Sequence, residues 1–257
     1  MDEFGSQGLS IIGVTGEGKK PTEKWVADKG ARYPYAYEKG SDLQRAVGLR
    51  GYPHAALIDP SGTIVWTGHP ARLDRDTIQT ALAGALSKPL FDWPESLGSA
   101  STSFARGAYG KALVAARKVA EKGDKGVAEV VASLESFTAF QVDRASAWIE
   151  EGNFLPLDKR GKSLLASLKG LPELEERLEA LLGELKSKEA KRVLKGQRAV
   201  LKIKEDAGTI NNIKRKDVDK LLDKLEKLRA DYAGTYAEQD ASKLIEELTA
   251  LRKALKR

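Results

Sequence analysis

Gly51-Tyr52-Pro53-His54-Ala55-Ala56-Leu57-Ile58-Asp59-Pro60-Ser61-Gly62-Thr63-Ile64-Val65-Trp66-Thr67-Gly68 is the stretch of this 257-residue chain that decides its fold. Two apolar, β-branched runs flank Asp59-Pro60-Ser61-Gly62. Pro60 presets φ, the Asp59 carboxylate bonds back to the turn, and Gly62 accepts positive φ. The spacing predicts a β-hairpin. After it, Asp74 or Asp76 opens a helix carrying Ile78, Leu82, Ala85 and Leu86 at helical spacing. Before it, Leu9 to Thr15 reads as a buried strand, and Gly16 to Lys20 as a loop. Pro21 suits the first turn of a helix that runs to about Lys29 and stops at Gly30. Trp25 and Trp66 read as packing residues. Tyr33-Pro34-Tyr35-Ala36-Tyr37 looks extended, with Pro34 at an edge or a strand start. A short helix follows, with Ser41 as N-cap, Leu43, Ala46 and Val47 inward, and Gly48 closing it. The order strand, helix, strand, short helix, hairpin, helix implies an α/β sandwich.

The run Val47-Gly48-Leu49-Arg50-Gly51-Tyr52-Pro53-His54 with the Leu57-Ile58-Asp59-Pro60-Ser61-Gly62 hairpin resembles the cis-proline segment of thioredoxin-like proteins. It is most similar to their TlpA/ResA and AhpC/TSA (redoxin) branch, and the resemblance covers roughly residues 1–87. It implies a thiol–disulfide oxidoreductase fold with Pro53 in the cis form. Tyr52 and Pro53 would then be the substrate-docking positions, where backbone meets an extended peptide. The chain also departs from that family. The family's chemistry uses a Cys-x-x-Cys at the start of the first long helix, and this sequence has no cysteine. Met1 to Gln7 would correspond only to the tail of that helix, so the expectation is an incomplete thioredoxin-like sandwich lacking its first strand and helix start. Either the chain is a fragment from a late start, or its lineage discarded the redox site.

Composition narrows the chemistry further. Without cysteine there is no disulfide, zinc–thiolate site, iron–sulfur cluster or thiol nucleophile. Thiol–disulfide exchange needs a thiolate, so the chain as given is expected to be redox-inactive, with no catalytic residue of its own. Two histidines, His54 and His69, leave little for a nitrogen-ligated metal, and neither a metal nor a cofactor is expected. His54 reads as solvent-facing or hydrogen-bonded, with a polar role near the vacant active site as the alternative. Gly16-x-Gly18-Lys19-Lys20 lacks the loop length and the Lys-Ser/Thr of a phosphate cradle, and Asp74 with Asp76 read as helix-start acids. No apolar run approaches the ~18–20 residues that cross a bilayer. Met1-Asp2-Glu3-Phe4 has neither the basic nor the apolar region of a signal peptide. The resembled family often works outside the cytoplasm, so location stays open.

Residues 88–103, with Pro89, Pro94 and a Gly-Ser-Ala-Ser-Thr-Ser run, read as a linker, and 104–257 as an all-α domain of helical hairpins. Apolar faces repeat at helical spacing through Tyr109–Ala120, Val127–Glu151, Leu164–Leu168, Leu174–Leu185, Ala190–Ala207, Val218–Leu228 and Leu244–Leu255. Gly107-Ala108-Tyr109 and Gly152-Asn153-Phe154 resemble the joints inside tetratricopeptide-like hairpins, and Asp231 to Ala237 the turn between two; a generic bundle is the alternative. The charge is uneven: residues 1–95 carry 11 basic and 12 acidic side chains, and the rest 32 and 25. Lys202, Lys204, Lys214, Arg215 and Lys216 are the densest basic group, but no aromatics interleave, which argues against a nucleic-acid partner. The expected partner is a protein or peptide, held at the Tyr52–Pro53 loop and on the helical domain. A non-catalytic binding module is the alternative to a redoxin fragment, and the oligomeric state is not legible.

Overall fold

Strand pairing sorts the first part of the chain into two small sheets. The computed structural model describes residues 3–40, 43–44, 47, 51–123, 126–209 and 214–255. Strand β1 (Gly13–Thr15) pairs in parallel with β2 (Tyr35–Tyr37), across helix α1 (Lys19–Lys29). Strands β3 (Ala55–Ile58) and β4 (Ile64–Gly68) form the expected antiparallel hairpin. The two pairs are separate two-stranded sheets, so among the described residues β1 and β3 each have one unpaired edge. The first strand is shorter than the Leu9–Thr15 run suggested. Of the short helix after β2, Leu43 and Gln44 are helical and Leu43 is exposed, not inward; Ser41, Ala46 and Gly48 lie outside the described residues. Trp25, expected to pack, is 49% exposed.

The chain divides into two compact units, Met1–Gln141 and Val142–Arg257. The first also holds helices α2 (Arg75–Ala81), α3 (Gly98–Ala105), α4 (Tyr109–Ala120) and the first part of α5 (Val127–Glu150). Helix α2 is shorter than its apolar pattern implied and ends before Leu82. Residues 88–103, read as a linker from their Pro and Ser content, are ordered instead. They form two 3-10 turns and the start of α3, with Trp93, Leu97 and Ala100 buried. Burial overrides composition here because Trp93, Phe104, Tyr109 and Phe137 interlock, with ring centroids 4.9–5.9 Å apart. Leu97, Leu113, Val127, Val130 and Leu134 complete this core.

The second unit comprises α6 (Phe154–Ser167), α7 (Pro172–Glu184), α8 (Lys188–Thr209), α9 (Arg215–Asp231) and α10 (Tyr236–Ala254). One apolar cluster joins its last three helices through Val200, Ile203, Val218, Leu221, Leu225, Ala241, Leu244 and Leu248. Their leucines recur at helical spacing, so each helix turns one stripe inward. Gly196 permits close approach: a Cβ there would lie 2.8 Å from both Ala237 and the Tyr232 ring.

A buried glutamine supplies the polar link. The first amides of a helix have no partner within it, and Asn153 gives α6 no side-chain cap. Gln197 of α8 does so instead. Its Oε1 accepts the Phe154 and Leu155 amides at 3.1 and 3.2 Å, and its Nε2 donates to Asn153 Oδ1 at 3.0 Å and to Asp240 Oδ2 at 3.5 Å. Burial raises the Asp240 carboxyl above its ordinary value, against the lowering effects of Gln197, Lys243 and Lys204.

Gln197→Ala strands two amides in a buried setting, and unfolding by denaturant should show a loss of about 1–3 kcal/mol. Asp240 takes up its proton more readily folded than unfolded. Its contribution is fully present below the unfolded pKa and is lost as pH rises through the raised folded value, staying lost above it. Asp240→Asn should therefore raise Tm at neutral pH and flatten the pH dependence of melting through the weakly acidic range.

Candidate functional site

The hairpin turn is held by one carboxylate. Asp59 Oδ1 accepts the Ser61 amide at 2.9 Å, the Ser61 hydroxyl at 2.5 Å and the Thr63 amide at 3.0 Å. The Asp59 amide donates to the Thr63 carbonyl at 2.9 Å, and the Gly62 amide to the Asp59 carbonyl at 2.8 Å. Gly62 has φ 77°, a conformation that a side chain would strain. Asp59 and Ser61 are 6% and 5% exposed, so the network is shielded from competing water. The register shifts between Leu57 and Ile58, with Ile58 opposite Ile64 and Leu57 opposite Trp66, which leaves Val65 as the extra residue of a bulge. Ile64 and Val65 consequently both face outward, 40% and 41% exposed.

Helix α5 clamps the turn from outside. Gln141 Nε2 donates to the Pro60 carbonyl at 3.0 Å. The same helix holds the segment after α2: Ser133 Oγ accepts the Ser87 amide at 3.0 Å, and Glu129 pairs with Lys88 at 2.6 Å. At the other end of the hairpin lie the docking positions expected from the sequence. The Tyr52–Pro53 bond is cis, and Tyr52 is 74% exposed. His54, next along the chain, differs from the expected solvent-facing or hydrogen-bonded residue. It is half-buried, and its Nε2 is enclosed with no hydrogen-bond partner among the described residues. His69 is structural, since its Nδ1 accepts the Ala71 amide at 3.2 Å and caps a 3-10 turn.

The other candidates hold to structural roles. Gly18 precedes α1 in extended conformation, and Lys19 pairs with Glu23 at 3.6 Å. Asp74 caps α2, where the Thr77 amide and then its hydroxyl hold the carboxyl below its ordinary value. Among the described residues no group of three or more His, Cys, Asp or Glu is placed to hold a metal ion. No described helix is long and apolar enough to cross a membrane.

The apolar surface of this region is lopsided. Large exposed hydrophobics among the described residues fall between Ile11 and Val65: Ile12 at 63% and Val14 at 42% lie in and beside β1, and Ile58 at 56% ends β3. The unpaired strand edges and the exposed apolar side chains thus share the same short part of the chain.

Residues 1–67 match the model of the AhpC/TSA family. The match supports the thioredoxin-like redoxin reading for this quarter of the chain, and it ends within β4, at the hairpin that carried the resemblance. No curated protein and no solved structure matches the chain.

The sequence pointed to Asp59 in the turn but gave no clear sign of Gln141. Its signal is faint: a polar residue on the buried side of a helix that otherwise turns Leu134, Phe137 and Val142 inward. Asp59→Ala removes the acceptor of three hydrogen bonds, and a loss of about 2–3 kcal/mol is expected from chemical denaturation, with Asp59→Asn recovering part of it.

Proposed function

We propose that this chain is a thioredoxin-like redoxin module of the TlpA/ResA or AhpC/TSA kind that lacks its own redox centre and docks extended polypeptide beside Tyr52 and Pro53. The AhpC/TSA match over residues 1–67 is the observation that carries the reading. The open edges of β1 and β3 and the exposed Ile12, Val14 and Ile58 support it, because unpaired strand edges with apolar flanks are templates for an added strand. The family's first strand, with the dithiol helix that follows it, is the kind of segment these edges would accept. On this reading the chain is the non-thiol part of a longer module, and the helical part, with successive hairpins such as α3–α4 and α9–α10, holds a protein partner.

The absence of cysteine supports the redox-inactive part of this reading. No side chain here provides the thiolate that would attack a disulfide, and none forms a mixed disulfide with substrate. What remains is recognition through backbone hydrogen bonds and apolar contact.

The insulin-reduction assay with dithiothreitol should run at the rate of the protein-free blank, and a clear protein-dependent acceleration would defeat the proposal. Coding DNA upstream of Met1 is expected to carry an in-frame Trp-Cys-x-x-Cys. A stop codon there would instead favour the non-catalytic binding module.

A further inference from the structure

Helices α7 and α8 carry opposite charge on their outward faces. On α7, Glu173, Glu176, Glu179 and Glu184 are exposed, while Leu178 is buried on the opposite side. On α8, Lys188, Lys191, Lys195 and Lys202 are exposed at intervals of three, four and seven residues, while Ala190, Val193, Leu194, Gln197, Val200 and Ile203 face inward. None of these eight side chains forms a salt bridge within 4 Å among the described residues, although most arginines of the same unit do. Arg177 pairs with Asp143 at 2.8 Å and Arg198 with Asp158 at 2.7 Å, so these two arginines beside the stripes already have partners.

The stripes fit one another in length as well as in sign. At 1.5 Å per residue the glutamates span about 17 Å and the lysines about 21 Å. The first three charges of each stripe are roughly one helical turn apart. The fourth follows five residues on in α7 and seven, or two turns, on in α8, so each stripe stays near one face of its helix, where facing helices set partner choice by charge. Ala180 and Gly183 lie exposed among the glutamates, and their small size lets another helix approach α7. Among the described residues the α7 and α8 stripes form no salt bridge with each other or with other groups.

We propose that this surface is a self-association interface, in which the glutamate face of α7 docks on the lysine face of α8 from a second copy. Under a two-fold axis the contact forms twice, since α8 of the first copy receives α7 of the second. The partner is therefore another molecule of this chain, recognised through a reciprocal set of carboxylate–ammonium pairs. Exposed pairs are individually weak and salt-screened, so the dimer is reversible and sensitive to ionic strength. The proposal is independent of the redoxin reading.

Sedimentation velocity of the full chain tests it. At about 50 mM salt the dimer should form, and raising salt to about 300 mM should weaken it about tenfold, because the screening length shortens. The fourfold variant Glu173→Lys, Glu176→Lys, Glu179→Lys, Glu184→Lys should be monomeric at low salt. So should its counterpart, Lys188→Glu, Lys191→Glu, Lys195→Glu, Lys202→Glu, each with unchanged helical circular dichroism. An equimolar mixture of the two variants should form a heterodimer, because both contacts then join opposite charges. A single chain carrying all eight exchanges should dimerise with itself, since every pair is reversed at unchanged net charge. A wild-type chain that stays monomeric at low salt, or a dimer indifferent to salt or to the exchanges, would overturn the proposal. Retardation of duplex DNA by the monomer, lost with the lysine variant and unaccompanied by self-association, would overturn it in favour of a polyanion.

Discussion

The Asp59 carboxylate governs the hairpin of the first unit. A four-residue turn between two short strands has little apolar area to bury, and the hairpin's buried hydrophobic is Leu57. Three donors converging on one oxygen fix the turn, the turn fixes the register of β3 against β4, and that register sets which side chains face outward. The bulge at Val65 follows from the same pairing. Tyr52 and Pro53 enter β3 from its other end, so their presentation depends on the hairpin staying in register. Gln141 adds a tie from α5 to the Pro60 carbonyl, which couples the turn to the helical core of its unit.

That coupling matters because the strands bury little of their own. Two-stranded sheets are marginal alone, whereas the core of the first unit lies among α3, α4 and α5, around Leu97, Leu113, Leu134 and the four interlocked aromatic rings. The helices give this unit its stability, and the strands give it open edges. Such edges are ordinarily blunted or covered in soluble proteins. Here they coincide with exposed Ile12, Val14 and Ile58, so backbone hydrogen-bonding groups and apolar side chains are presented together.

In the second unit the recurring device is polar satisfaction from a neighbouring helix. Gln197 occupies an inward position among leucines and valines, where a glutamine would be costly if unpaired. It instead closes the amide end of α6 and reaches Asp240, which ties three helices at a single point. The outward faces follow a different rule. Most arginines there are paired within the chain, while among the described residues Lys188, Lys191, Lys195 and Lys202 of α8 and Glu173, Glu176, Glu179 and Glu184 of α7 form no salt bridge.

Much of this was legible in the sequence because it rests on local rules. The Asp59-Pro60-Ser61-Gly62 turn, the α2 cap at Asp74 and most helix spans come from backbone preferences and apolar periodicity, which act over a few residues. The absence of cysteine needed composition alone. The order of residues 88–103 was not legible, since Pro, Gly and Ser signal a loop locally and only packing against Phe104 and Phe137 overrides them. Nor were the exposure of Trp25, the enclosed His54 Nε2, the Gln141 and Gln197 ties, or the split into two sheets. Each depends on what lies opposite a residue in space, and hydrogen bonding and burial are decided by groups that are far apart in the chain and meet only when it folds.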